Sequence, residues 1–127
     1  MTKSHFVALI ETYGRAWVTQ DPDLILTIFT PDATYDDPAE PKNYGHEGIK
    51  KYWLSKVVGQ QRNITFKLLN VWLEAETVIA EWTSEFDDIK RKLHVSLRET
   101  SIFTVRGDKF SSLREYYVSV KTPLVDK

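Results

Sequence analysis

A chain of 127 residues with 17 basic and 18 acidic side chains, formal charge -1, is long enough to bury about two-thirds of its unfolded surface without staples. A single domain over residues 1–127 is therefore expected, and its interspersed charges favour neither nucleic acid nor an anionic membrane as partner. The lack of cysteine excludes disulfides, thiolate metal sites and a cysteine nucleophile.

The first element is a helix from about Ser4 to Gln20, with Phe6, Leu9, Ile10, Tyr13 and Trp17 at helical spacing and Glu11 and Arg15 off that stripe. It lacks the apolar core of a signal peptide, and no apolar run approaches the roughly 18 residues of a spanning helix, which implies a cytoplasmic protein. Asn63-Ile64-Thr65 then reads as a chance glycosylation sequon. Asp21-Pro22 starts a second short helix that buries Leu24, Ile25, Ile28 and Phe29 and stops at Pro31. A short strand follows, with Tyr35 and Asp37 on one face and Thr34 and Asp36 on the other. Pro38 to Gly45 reads as an irregular loop that rims an opening. A third helix is expected from His46 to Val58, burying Ile49, Tyr52, Trp53 and Val57 and ending at Gly59.

From Arg62 the apolar period becomes two. Ile64, Phe66 and Leu68 alternate until the doublet Leu68-Leu69, which suggests a bulge. Glu74-Ala75-Glu76 turns the chain into a strand with Val78, Ala80, Trp82, Ser84 and Phe86 on its apolar face. After a polar connection from Asp87 to Lys92, a long strand puts Leu93, Val95, Leu97, Glu99, Ser101, Phe103 and Val105 on one face. Gly107-Asp108 forms a tight hairpin to a last strand from Lys109 to about Val120. The order predicts an α+β fold, in which three N-terminal helices cover a curved, cone-shaped antiparallel sheet whose mouth is a natural pocket.

Several residues interrupt these patterns in a chemically suggestive way. Asp37 is the first candidate for a reacting group, since it shares a face with Tyr35. Glu99 breaks an apolar face: turned inward it has a raised pKa, and turned outward by a bulge it pairs with Arg98 or Arg114. Glu115 and Tyr117 share a face of the last strand, opposite Arg114 and Tyr116, and the pattern leaves open which face is inward. The aromatics Tyr13, Trp17, Tyr35, Trp53 and Trp82 are core residues or, together, the paving of an apolar site. His46 is either a proton carrier at the rim or a surface residue. None of the three histidines is spaced as a metal ligand, and neither metal nor cofactor is expected. On the exposed sheet face, Glu81, Thr83 and Glu85 lie opposite His94, Ser96 and Arg98 as possible cross-strand pairs.

Taken in order, Tyr13 to Trp17, Asp21-Pro22-Asp23 through Phe29, Asp32-Ala33-Thr34-Tyr35, Asp37-Pro38, Gly45-His46-Glu47-Gly48-Ile49, Glu81-Trp82-Thr83 and Arg114-Glu115-Tyr116-Tyr117 resemble the nuclear-transport-factor-2-like superfamily. The similarity is to its SnoaL-like, ketosteroid-isomerase-like branch, and it covers nearly the whole chain. It implies the cystatin-like roll and a small apolar ligand in the cone. It also implies a homodimer through the exposed sheet face. Position by position, the isomerase pattern puts its oxyanion-donor tyrosine at Tyr13 and its proton-shuttling aspartate at Asp37. The second donor falls near Ser101, where Glu99 is the nearby acid. The epoxide hydrolase pattern keeps an acid at Glu115 and loses its other two positions, near Trp82 and Ser84. The resulting expectation is a proton-shuttling isomerase or cyclase acting on an apolar carbonyl compound. Its catalytic set is Asp37, Tyr13, Glu99 and Glu115, and its ligand contacts are Trp17, Tyr35, Trp53, Trp82, Phe86, Ser101, Phe103 and Tyr117. The alternative is a non-catalytic binding or dimerisation module of the same fold.

Overall fold

In the computed structural model, which describes residues 2–125, helix α1 spans Lys3–Thr19. Thr2 caps it by accepting from the His5 N–H, and Gln20 ends it in the left-handed conformation. The Gln20 amide then ties two distant segments together, donating to the Val57 carbonyl at 2.8 Å and the Gln61 carbonyl at 2.7 Å. Helix α2, Pro22–Leu26, is capped by the Asp21 carboxylate, which accepts from Asp23 and Leu24 N–H.

The second helix ends earlier than its apolar residues suggested. Ile28 and Phe29 are buried, but Phe29 already opens strand β1, Phe29–Asp36. The Ile28 carbonyl accepts from the Phe110 N–H at 2.9 Å, so the last strand captures this segment before a further helical turn forms. Pro31 lies inside β1 and does not stop a helix. It falls where the register shifts between Phe29 and Thr34, so its missing N–H leaves no ladder bond unmade. The segment read as irregular loop contains a two-residue strand β2, Asn43–Tyr44, that pairs with Thr34 and Tyr35. Helix α3 covers Gly45–Trp53 and then widens into a π-helical turn, Leu54–Val58, where one α-helix had been expected.

Strands β3 (Gln61–Glu74), β4 (Thr77–Asp88), β5 (Leu93–Arg106) and β6 (Lys109–Pro123) form the antiparallel meander. They belong to one six-stranded sheet of order β2-β1-β6-β5-β4-β3. The sheet is mixed, because β1 runs parallel to β6. The register of β3 on β4 shifts between Leu68 and Asn70, the bulge that the leucine doublet indicated; beyond it Val71 turns inward and Trp72 outward. Gly107, at φ +64, occupies the β5–β6 turn, where a side chain would be strained. No helix among the described residues is long and apolar enough to cross a membrane.

The sheet's concave face buries the alternate residues the sequence identified, including Val78, Ala80, Trp82, Val95, Leu97, Phe103, Phe110 and Leu113. On the convex face His94 bonds both Asp87, at 2.8 Å, and Glu85, at 2.9 Å. Helix α1 closes the cone by packing on β3, and Gly14 makes the close approach possible, since a Cβ there would overlap the Phe66 ring. Phe66 in turn packs against Tyr13, Trp17 and Trp82. Gly14→Ala should therefore push α1 off the sheet and lower unfolding stability by about 1–3 kcal/mol, read by chemical denaturation. An unchanged midpoint would show that the ring moves aside freely.

Candidate functional site

The open end of the cone holds a cavity of about 200 Å³ whose wall draws on α1, β1, α3, the π-helical turn, β4, β5 and β6. Tyr13 and Trp17 project into it from α1, Tyr35 and Asp37 come from β1 and its end, and Glu99 and Glu115 face it from the sheet. This volume is below the roughly 300–1,000 Å³ of clefts that take drug-sized ligands, so it suits a molecule of about one ring. At the mouth, Lys56 of the π-helical turn pairs with Glu40 at 2.5 Å, which joins the loop after Asp37 to that turn.

Two hydrogen-bonded groups share the cavity. In the first, Asp37 accepts from three donors: Tyr52 Oη to Oδ2 at 2.5 Å, Tyr117 Oη to Oδ1 at 2.8 Å, and the Ala39 N–H to Oδ1 at 3.0 Å. Pro38 between strand and turn fixes this geometry, with Asp37 acting as its own turn cap. In the second, Glu115 Oε1 accepts from Tyr13 Oη at 3.2 Å, and Tyr13 and Tyr35 hydroxyls meet at 3.1 Å. Ser101 Oγ donates to Glu99 Oε2 at 2.6 Å. Glu99 and Glu115 lie on adjacent strands, two residues apart in register and on the same face of the sheet.

Two buried carboxyl groups on neighbouring strands cannot both ionise readily. Burial pushes the Glu99 carboxyl well above the usual carboxylate range, and the Glu115 charge pushes it further. Burial, then the Asp37 charge, raises Glu115 to about 7, against the pull of donors Tyr35, Tyr13 and Glu99. Both carboxyls are thereby held toward their protonated, uncharged forms. Burial also raises Tyr13, Tyr35, Tyr52 and Tyr117, so all four phenols act as donors and none as a base. Among the described residues no cluster of His, Cys, Asp or Glu has an arrangement that would hold a metal ion.

The expected site residues divide into two layers. Asp37, Tyr13, Glu99, Glu115, Trp17, Tyr35, Trp53, Phe86 and Tyr117 line the cavity. Trp82, Ser101 and Phe103 do not: each is completely buried behind the wall, where Trp82 packs its ring 5.0 Å from Tyr13 and Ser101 is taken up by Glu99. Strand alternation put them on the correct face, but depth along the cone separates wall from core. Glu99 is buried, which removes the outward pairing with Arg98 or Arg114, and Glu115 and Tyr117 turn inward with it. Tyr13 bonds Glu115 and Tyr35, with no bond to Asp37. His46 is held by the Phe29 carbonyl at 3.0 Å and takes no part in the wall.

Tyr52 was read only as part of the buried side of the third helix, yet it makes the shortest bond to Asp37. Nothing in its spacing distinguishes it from the other apolar-face residues; only the approach of α3 to β1 brings it there.

The SnoaL-like domain model matches residues 10–113 of the chain. An NTF2-like protein from Anabaena variabilis is 25% identical, with a TM-score of 0.80 over 92% of this chain and 89% of that one. A hypothetical protein from Catenulispora acidiphila with a ketosteroid isomerase-like fold, crystallised with trimethylamine, is 18% identical, with a TM-score of 0.78 over 86% and 84% of the two chains. An LEH-like epoxide hydrolase from M. tuberculosis is 16% identical, with a TM-score of 0.74 over 91% and 84%. No curated protein matches the chain.

The Glu115 titration has a consequence for stability. Its carboxyl moves from 4.5 to about 7 on folding, so the folded state is favoured below the lower value and loses that advantage as pH rises through the higher one. The melting temperature should fall between pH 5 and 8, and Glu115→Gln should flatten the fall. Parallel melting curves for both proteins would show that Glu115 is not the group responsible.

Proposed function

The chain belongs to the SnoaL-like domain family, and on that premise we propose that it binds a small carbonyl compound in the cone and moves a proton within it. The observation that carries this reading is the contrast between two carboxyl groups on one cavity. Asp37 is surrounded by donors that suit a carboxylate, while burial and the Asp37 charge raise Glu115 to about 7 and favour its protonated form. Such a pair supplies a base and an acid at the same pH.

In this reading Asp37 takes a proton from the carbon next to the carbonyl. The C–H electron pair forms the new C=C bond, and the carbonyl π pair moves onto oxygen, which Glu115 protonates. The resulting enol collapses when Asp37 returns its proton to carbon and Glu115 recovers the hydroxyl proton. Return to a different carbon of a conjugated system is isomerisation. Tyr52 and Tyr117 hold Asp37 in place, and the aromatic wall excludes water around the reacting atoms.

Deuterium incorporation next to the carbonyl of cyclohexanone, followed by NMR in heavy water, tests this directly. The protein should accelerate exchange, Asp37→Asn should reduce that acceleration by about 100-fold or more, and the rate should drop as pH rises through about 7, where Glu115 loses its proton. Exchange no faster than with free carboxylate, or unaffected by the substitution, overturns the reading. Binding of the ketone without exchange would place the chain among the ligand-binding modules of its fold.

The convex sheet face supports a homodimer. Tyr116, Val118 and Val120 stand side by side on β6 at 52%, 67% and 64% exposure, an apolar stripe flanked by polar residues of β5. Sedimentation should give a dimer, and Val118→Glu a monomer; a monomeric parent protein at high concentration rules the interface out.

A further inference from the structure

The phenol and indole donors around the cavity are nearly all engaged. Tyr13 serves Glu115, Tyr35 serves Tyr13, and Tyr52 and Tyr117 serve Asp37. Trp17 gives its indole N–H to Gln61 Oε1 at 2.7 Å. Trp53 is different. It is the last residue of α3, lines the cavity and is wholly buried, and its Nε1–H has no acceptor in the protein. Among the buried side chains of the described wall, it is the one indole or phenol donor left without a partner.

A buried donor without an acceptor costs about 1–3 kcal/mol, a cost a ligand oxygen would relieve. Trp53 meets Tyr13 edge to face, with centroids 6.0 Å apart, and Tyr13 in turn bonds Glu115. Trp53 and Glu115 are therefore both neighbours of the same tyrosine. Trp82 also has an N–H without an acceptor, but it lies behind the wall and serves as an internal control.

We infer that Trp53 is the ligand-oxygen donor of this site, its indole N–H bonding the carbonyl oxygen that Glu115 protonates. The inference rests on the carbonyl-binding reading above and assigns to Trp53 the donor role that the sequence pattern had suggested for Tyr13. It also narrows the ligand: the bound group must present an acceptor oxygen, so a hydrocarbon of the same shape binds less well.

Indole ¹⁵N–¹H correlation spectra test this, with the tryptophan signals assigned by single Trp→Phe substitutions. Titration with cyclohexenone should move the Trp53 indole proton downfield and leave Trp82 nearly in place, whereas cyclohexene, which lacks the oxygen, should not produce that shift. Trp53→Phe should weaken cyclohexenone binding about three- to tenfold, the equivalent of one neutral hydrogen bond, while Trp82→Phe, the same loss of volume behind the wall, should leave the affinity nearly unchanged. A Trp53 signal that stays put while cavity tyrosine signals shift overturns the inference, as does equal affinity in Trp53→Phe. A cavity untouched by the ketone overturns both this inference and the carbonyl-binding reading. A moved Trp53 signal without deuterium exchange supports the donor and overturns only the catalytic step.

Discussion

Asp37, Glu99 and Glu115 face one small cavity lined by aromatic rings, and the structure around them is an answer to the energy of that arrangement. An isolated carboxylate out of water is too costly to persist. Here the cost is met in two ways. Asp37 keeps donors on both oxygens, two phenols and a backbone N–H. Burial pushes Glu99 and Glu115 toward their uncharged forms, and Tyr13 donates to Glu115 while Ser101 donates to Glu99. The four tyrosines are thus structural requirements of the acid cluster as much as apolar paving.

This constraint extends into the fold. Tyr13 can reach Glu115 only because α1 lies tight on β3, which depends on Gly14 facing the Phe66 ring. Tyr52 can reach Asp37 only because α3 packs on β1. The parallel docking of β1 on β6 brings Tyr35 level with Leu113, two residues from Glu115. Helices and sheet are therefore held by polar bonds at the cavity as well as by the apolar cluster behind it. The proposed chemistry rests on the same arrangement, a carboxyl raised to about 7 beside one whose oxygens are both bonded.

Much of this was legible in the chain itself. Alternation in β4 and β5 identified the concave residues correctly, the Leu68-Leu69 doublet marked the bulge, and Gly107 marked the hairpin. Asp37 and Glu99 stood out because each is an acid sharing a face with aromatic or apolar residues, a pattern with few structural explanations. Segment ends were less legible. Phe29 follows a helical spacing, yet a strand about 80 residues further along the chain claims it, and Pro31 is tolerated in a strand because the ladder slips there.

Sequence alone determined the class of fold and the residues able to face inward, because side-chain periodicity depends only on local backbone geometry. It could not determine how deep in the cone each inward residue sits, and so did not separate Trp82 and Phe103 in the core from Phe86 in the wall. Nor could it decide which donor meets which acid. Those pairings join Tyr52 to Asp37 and Tyr13 to Glu115, positions from different elements that meet only when α1 and α3 close over the sheet. Protonation followed from that closure, since the state of Glu115 depends on burial and on Asp37, neither of which exists in the unfolded chain.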